Sequence, residues 1–389
     1  MAKQTVSIIG AGLGGLALGR CLRQRGIAAV LYERTSSAAQ HNYGITLYAS
    51  AYAPLLKTLN VSENAFKHRV AVDAAIGGTG SINHTISGVV RGKADEGEDC
   101  FQANRGKLEN WLREGLDIRW EHTLQDVEPS PSVEGQPTVR FDNGQKFQTN
   151  VLVGADGTHS VLRRSLVPQS ELTVLPFVAF NGKRRIGRVV FEDTIQCHLQ
   201  KSNVISFTRG DIRIKLSIDN YADDKVSASW TYSRPSSGAS DPLYKPERTP
   251  SGATQIPDEL FEELASLLHL GLPEPLDRIL DEKEVRNDRL LHWLMRTTLV
   301  PKEKLHDLTH GGILLIGDAV HAEPIVGGNG ANAAILDAVS LAEQIAEAQE
   351  TGKHSLSSWI DKRYDDWQHG IQSAKANIEA MHKSHNAKM

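Results

Sequence analysis

Two kinds of apolar spacing alternate along the first thirty residues. Val6, Ile8 and Ile9 form a short apolar run; Leu16, Leu18, Cys21 and Leu22 recur at helical intervals; Ala29 to Tyr32 form a second run. The pattern predicts strand, helix, strand over residues 5–9, 14–25 and 29–32. A helix is expected from about Gly106 to Glu114, with Leu108, Trp111 and Leu112 on one face. Val139 to Phe147 reads as a hairpin turning at Asp142-Asn143-Gly144, where Asn-Gly permits positive φ. Val151 to Val153 reads as a buried strand. Residues 173–232 read as several strands, with Ile212, Ile214, Leu216 and Ile218 alternating. Residues 233–257 hold five of the fifteen prolines and are expected to form a long surface loop, a candidate lid. Helix returns around 258–269, a buried strand at Ile313–Ile316, and a helix after Gly330. Ile360, Tyr364, Trp367, Ile371, Ala374, Ile378 and Met381 then follow at intervals of three and four. That spacing predicts one long amphipathic helix docked on the protein body.

Composition narrows the class. At roughly 150 residues per domain, 389 residues imply two or three domains. Apolar residues at 40% and charged residues at 23% exclude a disordered chain or a membrane bundle. A net charge of −4 gives no basic excess, so no nucleic-acid partner is expected. No apolar run approaches a membrane span, and the glycines among residues 10–19 break the one stretch that resembles a leader. Cys21, Cys100 and Cys197 are far apart and odd in number; no disulfide framework and no metal site are expected, and a cytoplasmic location is the default.

Three motifs carry chemistry. Gly10, Gly12 and Gly15 hold a GxGxxG spacing, with Leu13 and Gly14 between. Gly10 permits the turn out of the strand, Gly12 lets backbone approach a pyrophosphate, and Gly15 lets the helix pack closely. The helix N-terminus offers free N–H groups to phosphate. Glu33 ends the second strand, 21 residues after Gly12, where a carboxylate accepts from a ribose 2′-OH; Arg34 follows it. The second motif, Val153-Gly154-Ala155-Asp156-Gly157, continues to His159, Ser160 and Arg163. On its own it is also an ordinary strand-to-helix connection. In the third, Ile316-Gly317-Asp318-Ala319-Val320-His321, a strand delivers Asp318 to its C-terminal edge, the usual ligand crevice of open α/β sheets. Gly327, Gly328, Asn329, Gly330, Ala331 and Asn332 then precede a helix.

With these motifs in order, the chain resembles the class A FAD-dependent monooxygenases of the p-hydroxybenzoate hydroxylase fold, over essentially its full length. The compact two-domain members, such as tetracycline-inactivating monooxygenases and fungal secondary-metabolite hydroxylases, are the nearest in pattern. The resemblance implies an α/β fold: a Rossmann-type FAD-binding domain (1–75, 100–172 and 285–350), an inserted β-sheet substrate domain (76–99 and 173–284) and a C-terminal amphipathic helix (351–389). It implies that Gly10, Gly12, Leu13, Gly14, Gly15, Glu33, Arg34, Arg105, Asp156, Gly157, Asp318, Gly328, Gly330, Ala331 and Asn332 bind FAD. NAD(P)H would act as a transient co-substrate, and O2 would give a flavin C4a-hydroperoxide that hydroxylates or epoxidises a small, largely apolar molecule. Asn181, Lys183, Tyr232 and Pro324 are expected at the substrate. Glu323 is a candidate acid, on a position commonly apolar in the family, and also reads as a solvated loop residue; His321 reads as structural. A monomer or weak homodimer is expected. A dehydrogenase or redox-neutral cyclase on the same fold, or a dinucleotide-binding regulatory module without turnover, are the other readings.

Overall fold

Two sheets organise the chain, and each has its own core. A computed structural model describes residues 4–38, 41–87, 99–129, 136–351 and 356–383. Much of the glycine-rich excursion at 76–99 lies outside the described residues. The strands before the second sheet are β1 (Val6–Ile9), β2 (Ala29–Tyr32), β3 (Gly44–Tyr48), β4 (Cys100–Asn104), β5 (Asp117–Arg119), β6 (Leu124–Glu128), β7 (Thr138–Phe141), β8 (Lys146–Gln148) and β9 (Val151–Gly154). Then come β10 (Thr173–Gly187), β11 (Val204–Arg209), β12 (Ile212–Tyr221), β13 (Lys225–Pro235), β14 (Arg289–Thr297) and β15 (Ile313–Leu315).

The first sheet runs β15-β9-β1-β2-β5 and is parallel throughout. Parallel strands need crossovers that cover both faces, so their apolar runs are continuous rather than alternating. All four residues of β1 are buried accordingly. The crossover helix Leu13–Gln24 buries Leu16, Leu18, Cys21 and Leu22. The helix Gly330–Thr351 packs beside it, and a Cβ on Gly14 would lie 3.5 Å from the Ala334 methyl. In the β7–β8 hairpin only Gly144 takes positive φ (80°). Asn143 holds the turn by its side chain instead: its Oδ1 accepts from Gln145 N and its Nδ2 donates to Glu121 O.

The second sheet, β11-β12-β13-β10-β14, is antiparallel. Its register sorts the side chains into two faces. One row aligns Phe207, Ile214, Tyr232, Phe180 and His292 across all five strands. This outer face joins a core with Leu260, Leu264 and Leu267 of the helix Asp258–His269. The neighbouring row aligns Ser206, Lys215, Thr231, Asn181 and Leu291 on the inner face.

Two expectations change. Residues 173–232 are not strand alone, because the helix Arg188–Thr194 interrupts them and buries Phe191. Nor is 233–257 a free lid. β13 runs on to Pro235, and Arg234 forks onto Asp241 at 2.6 and 3.0 Å and onto Glu263 at 2.7 and 2.9 Å. Leu243 is fully buried behind that pair. The C-terminal helix Leu356–Met381 docks on the body as its spacing predicts, burying Trp359, Ile360, Trp367, Ile371, Ala374 and Ile378. Among the described residues no helix is long and apolar enough to cross a membrane.

Candidate functional site

The glycines of the first motif divide their tasks. Gly10 has φ +102°, and a Cβ there would lie 2.5 Å from Ala155 O. A Cβ on Gly15 would lie 2.1 Å from Gly10 O, so the close helix–strand approach admits no side chain. A Cβ on Gly12 meets nothing within 4 Å: this glycine faces open space at the N-cap of the helix Leu13–Gln24. Leu13 is buried. Glu33 Oε2 accepts from Ala11 N at 2.8 Å and Oε1 from Thr35 N at 3.1 Å, which fixes the carboxylate beside the motif with lone pairs to spare. Arg34 is exposed next to it. These contacts predict a contrast. Gly12→Ala should keep the wild-type melting temperature but lose dinucleotide affinity, whereas Gly15→Ala should lower both. Thermal melts and flavin absorbance per chain check it.

The second and third motifs meet. Thr158 Oγ1 donates to Asp318 Oδ2 at 2.9 Å. Arg163, almost wholly buried, donates to Thr158 O (2.6 Å), Asp318 O (3.2 Å) and Ala319 O (3.0 Å). Arg163 therefore clamps the two loops together. Sequence reasoning missed this contact, which joins residues 155 and 156 positions apart. Asp318 Oδ1 has no hydrogen-bond partner among the described residues and lies 3.1 Å from where a Cβ on Gly330 would stand. Asp156 is engaged inward: its Oδ2 accepts from Val161 N at 2.7 Å and Leu162 N at 3.3 Å, and its buried Oδ1 lacks a partner. Burial pushes this carboxyl above its ordinary range, against the pull of its hydrogen bonds. Gly157, at φ +78° with no neighbour for a Cβ, leaves backbone open instead.

The helix Gly330–Thr351 begins on Asn329, whose carbonyl accepts from Ala333 N. That leaves the N–H groups of Gly330, Ala331 and Asn332 without intrahelical partners, at the positive end of a 22-residue helix. The Asn332 side chain is occupied: Nδ2 donates to Thr46 O (3.0 Å) and Oδ1 accepts from Tyr48 N (3.0 Å). Only its backbone remains for a ligand. In the preceding loop Glu323 Oε2 accepts from Asn329 N, and its Oε1 lies 3.1 Å from the Cβ position of Gly370 on the C-terminal helix. Burial raises the Glu323 carboxyl; the Asn329 N–H and the His321 charge oppose it. Pro324 is buried, and its carbonyl is so close to Gly328 that a Cβ there would stand 2.2 Å away.

Arg105 opens the helix Arg105–Arg113. It donates to Glu109 at 2.8 Å and to the Tyr43 hydroxyl, and lies 5.4 Å from the Tyr43 ring centroid. Burial raises the Tyr43 phenol, Arg105 opposes it, and the Asp318 charge adds a smaller push upward. Behind this edge lies a buried network that the sequence reading did not anticipate. Asp337, with no exposed surface, accepts from Gly317 N, His321, Arg363 and Trp367.

The substrate expectations split. Asn181 lies on the inner face, donating to Trp230 O and Thr231 Oγ1, with a buried Oδ1 that has no partner. Lys183 shares that face but is taken up by Asn42 O at 3.2 Å and the Tyr43 ring at 4.7 Å. Tyr232 is a correction: it points to the outer face, is fully buried and donates to Glu263 of the helix Asp258–His269. A one-residue step along a strand reverses the face, and both faces here are covered, so alternation alone does not say which one meets the other domain.

The donor set fits a dinucleotide. Open backbone at Gly12 and Gly157, a carboxylate at each of two parallel-strand ends, and three free N–H groups converge at the C-terminal edge of one sheet. A family model described as "FAD binding domain" matches residues 3–202 and 277–365. The chain is 31% identical to the FAD-dependent monooxygenase adaC of Aspergillus niger, over 97% of this chain and 93% of that one. It is 32% identical to the FAD-dependent monooxygenase nscC of Arthroderma otae, over 94% and 90%. Among solved structures, a FAD containing monooxygenase from Photorhabdus luminescens shares the fold with a TM-score of 0.72, 20% identity and 98% of both chains covered. Klebsiella pneumoniae HpxO, solved with FAD and uric acid, gives a TM-score of 0.69 at 17% identity, over 97% of this chain and 89% of that one.

Proposed function

The chain belongs to the FAD binding domain family and is an FAD-dependent monooxygenase, and from that premise we propose that it oxygenates a small organic molecule between the Asp318 loop and the inner face of the second sheet. NAD(P)H is the proposed electron source, and secondary metabolism the proposed setting. Bound FAD supplies the redox chemistry that activates O2. The observation that carries the reading is the clamp of Arg163 and Thr158 on Asp318, which joins the second and third motifs beside the open backbone of Gly12 at the C-terminal edge of the same sheet.

Each residue has a physical task in this proposal. Gly12 and the following helix N-terminus receive the pyrophosphate. Glu33 and the free oxygen of Asp318 accept from sugar and chain hydroxyls. The N–H groups of Gly330, Ala331 and Asn332 stabilise negative charge beside them, an effect of about 0.3–1 kcal/mol when exposed and up to about 2 kcal/mol when partly buried. Arg105 brings a positive charge to the same edge. Glu323, raised by burial, is placed to hold or give a proton there. Residues 1–75, 100–172 and 285–350 would form the cofactor unit, and 76–99 with 173–284 the substrate unit.

The test is oxygen-dependent NAD(P)H oxidation by the FAD-loaded protein, with a panel of small aromatic and other largely apolar compounds under 18O2. Acceleration by at least one compound, with one 18O atom in its product, is the expected result. Equal turnover under argon would instead support a dehydrogenase or cyclase, and no turnover with any compound would support the binding-module reading.

A further inference from the structure

We propose that Lys215 is the charge anchor for substrate, and that the substrate presents an oxyanion, an ionised hydroxyl or a carboxylate, to its ammonium group. This rests on the monooxygenase reading and adds the chemical character of the molecule oxygenated.

Lys215 lies in the middle of β12 on the inner face, between Ser206 and Thr231 across the strands. It is partly buried and, among the described residues, makes no hydrogen bond or ion pair. Its neighbours are provided for. Lys183 donates to Asn42 O, and Arg213 donates to Ser206 Oγ at 3.3 Å. Asp219, the acid that draws on Lys215, has its Oδ1 taken by Gly44 N at 2.8 Å and Ser229 Oγ at 3.0 Å. A cation withdrawn from water without a counterion is costly, and an incoming anion removes that cost. Burial, then Arg213, push the ammonium down to about 8, with Asp219 opposing. An acidic hydroxyl can therefore lose its proton to the neutral amine, giving the oxyanion and the ammonium with nothing else exchanged.

A chain of hydrogen bonds joins the cofactor edge to this face. Asn332 Nδ2 donates to Thr46 O (3.0 Å), Thr46 Oγ1 to Gln102 Oε1 (3.0 Å), and Gln102 Nε2 to Ser217 Oγ (2.8 Å). Ser217 is two residues from Lys215, about 7 Å along the same face. Phe177, Ala179 and Met295 of this face join Ile378 of the C-terminal helix and Val326 of the loop after Glu323 in one apolar cluster. His382 closes on Ser233 at 2.9 Å. The face is apolar around Phe177, Ala179 and Met295 and polar around Lys215, which among the described residues is a cation without a hydrogen-bond or ion-pair partner. That revises the expectation of a largely apolar substrate toward an apolar body carrying one negative group.

The test uses FAD-loaded protein and three probes of matched shape: 4-nitrophenol, 4-nitrobenzoate and neutral nitrobenzene. Dissociation constants come from flavin difference spectra and equilibrium dialysis. The wild type is expected to favour at least one anionic probe over nitrobenzene by about tenfold or more. Lys215→Met should abolish that preference with nitrobenzene affinity unchanged, and Lys215→Arg should keep most of it. Preference for 4-nitrophenol, with the yellow phenolate band appearing below its solution pKa, identifies an ionised hydroxyl; preference for 4-nitrobenzoate alone identifies a carboxylate. An unchanged preference in Lys215→Met, or no preference in the wild type, overturns the assignment. Flavin content of the same wild-type samples separates the two failures. Flavin bound without anion preference sinks only Lys215, whereas absent flavin sinks the monooxygenase reading itself.

Discussion

Asp337→Ala is expected to destabilise the folded protein by about 3–5 kcal/mol, the usual result of removing one partner from a buried ion pair. The side chain has no exposed surface and receives donors from two segments: Gly317 N at 2.9 Å and His321 at 2.6 Å from the Asp318 loop, and Arg363 at 2.9 Å with Trp367 at 2.8 Å from the C-terminal helix. Without it Arg363 loses its buried counterion, and His321, Trp367 and Gly317 N lose their shared acceptor behind the Asp318 loop. The loss should depend on pH. Burial alone would raise the Asp337 carboxyl, but His321, then Arg363 and the Gly317 N–H, hold it well below the usual range. Its contribution is therefore present above the unfolded value of about 3.9 and fades as pH falls toward the folded one. Burial alone would lower His321, but Asp337 outweighs it and raises the imidazole. That contribution is full below the unfolded value of about 6.5 and fades as pH rises through the folded one. Denaturant titrations of wild type and variant should thus differ most between about pH 4 and 6.5, less at higher pH, where the His321 share is lost while the bonds from Gly317 N, Arg363 and Trp367 remain, and least as pH falls toward the folded Asp337 value. A difference under 1 kcal/mol at pH 6 would contradict the network.

Asp318→Ala should leave the fold intact and weaken FAD binding roughly ten- to a hundredfold, the effect of losing a charged hydrogen-bond acceptor. The backbone of the loop stays anchored because Arg163 holds the carbonyls of residues 318 and 319, and Asp337 holds Gly317 N. The variant is expected to purify mostly colourless yet melt close to the wild-type apoprotein. Flavin absorbance per chain and a thermal melt measure both halves. Full flavin content in the variant would remove Asp318 from the site.

Some of this was legible in the sequence because local chemistry dictated it. Gly10 and Gly15 are glycines for a reason written in backbone contacts of 2.5 and 2.1 Å, so the first motif announced its own geometry. The C-terminal helix was legible because its apolar residues keep one face over 26 residues, and that face is the one buried. The second sheet was legible as strands but not as faces. Phe180 and Asn181 are adjacent and both buried, yet one packs under the helix Asp258–His269 and the other lies on the opposite face, the one from which Lys183 reaches Asn42 O. The misplacement of Tyr232 follows from that ambiguity. Asp337 was overlooked because it sits within the apolar stretch 333–342 of a helix and its partners lie 16 to 30 positions away in sequence. A lone carboxylate in an apolar helix, followed by an arginine and a tryptophan four apart in the next helix, was the available signal. The clamp by Arg163 spans 155 positions, and no local pattern announces such a contact.

Three distant stretches of backbone, around Gly12, Asp156 and Asp318, build one site for one flavin in the function proposed here. Isothermal titration of flavin-stripped protein with FAD tests it most directly. Saturation is expected at one FAD per chain, with stoichiometry retained in Lys215→Met and affinity reduced in Asp318→Ala. Absence of FAD binding by folded wild-type protein would contradict it.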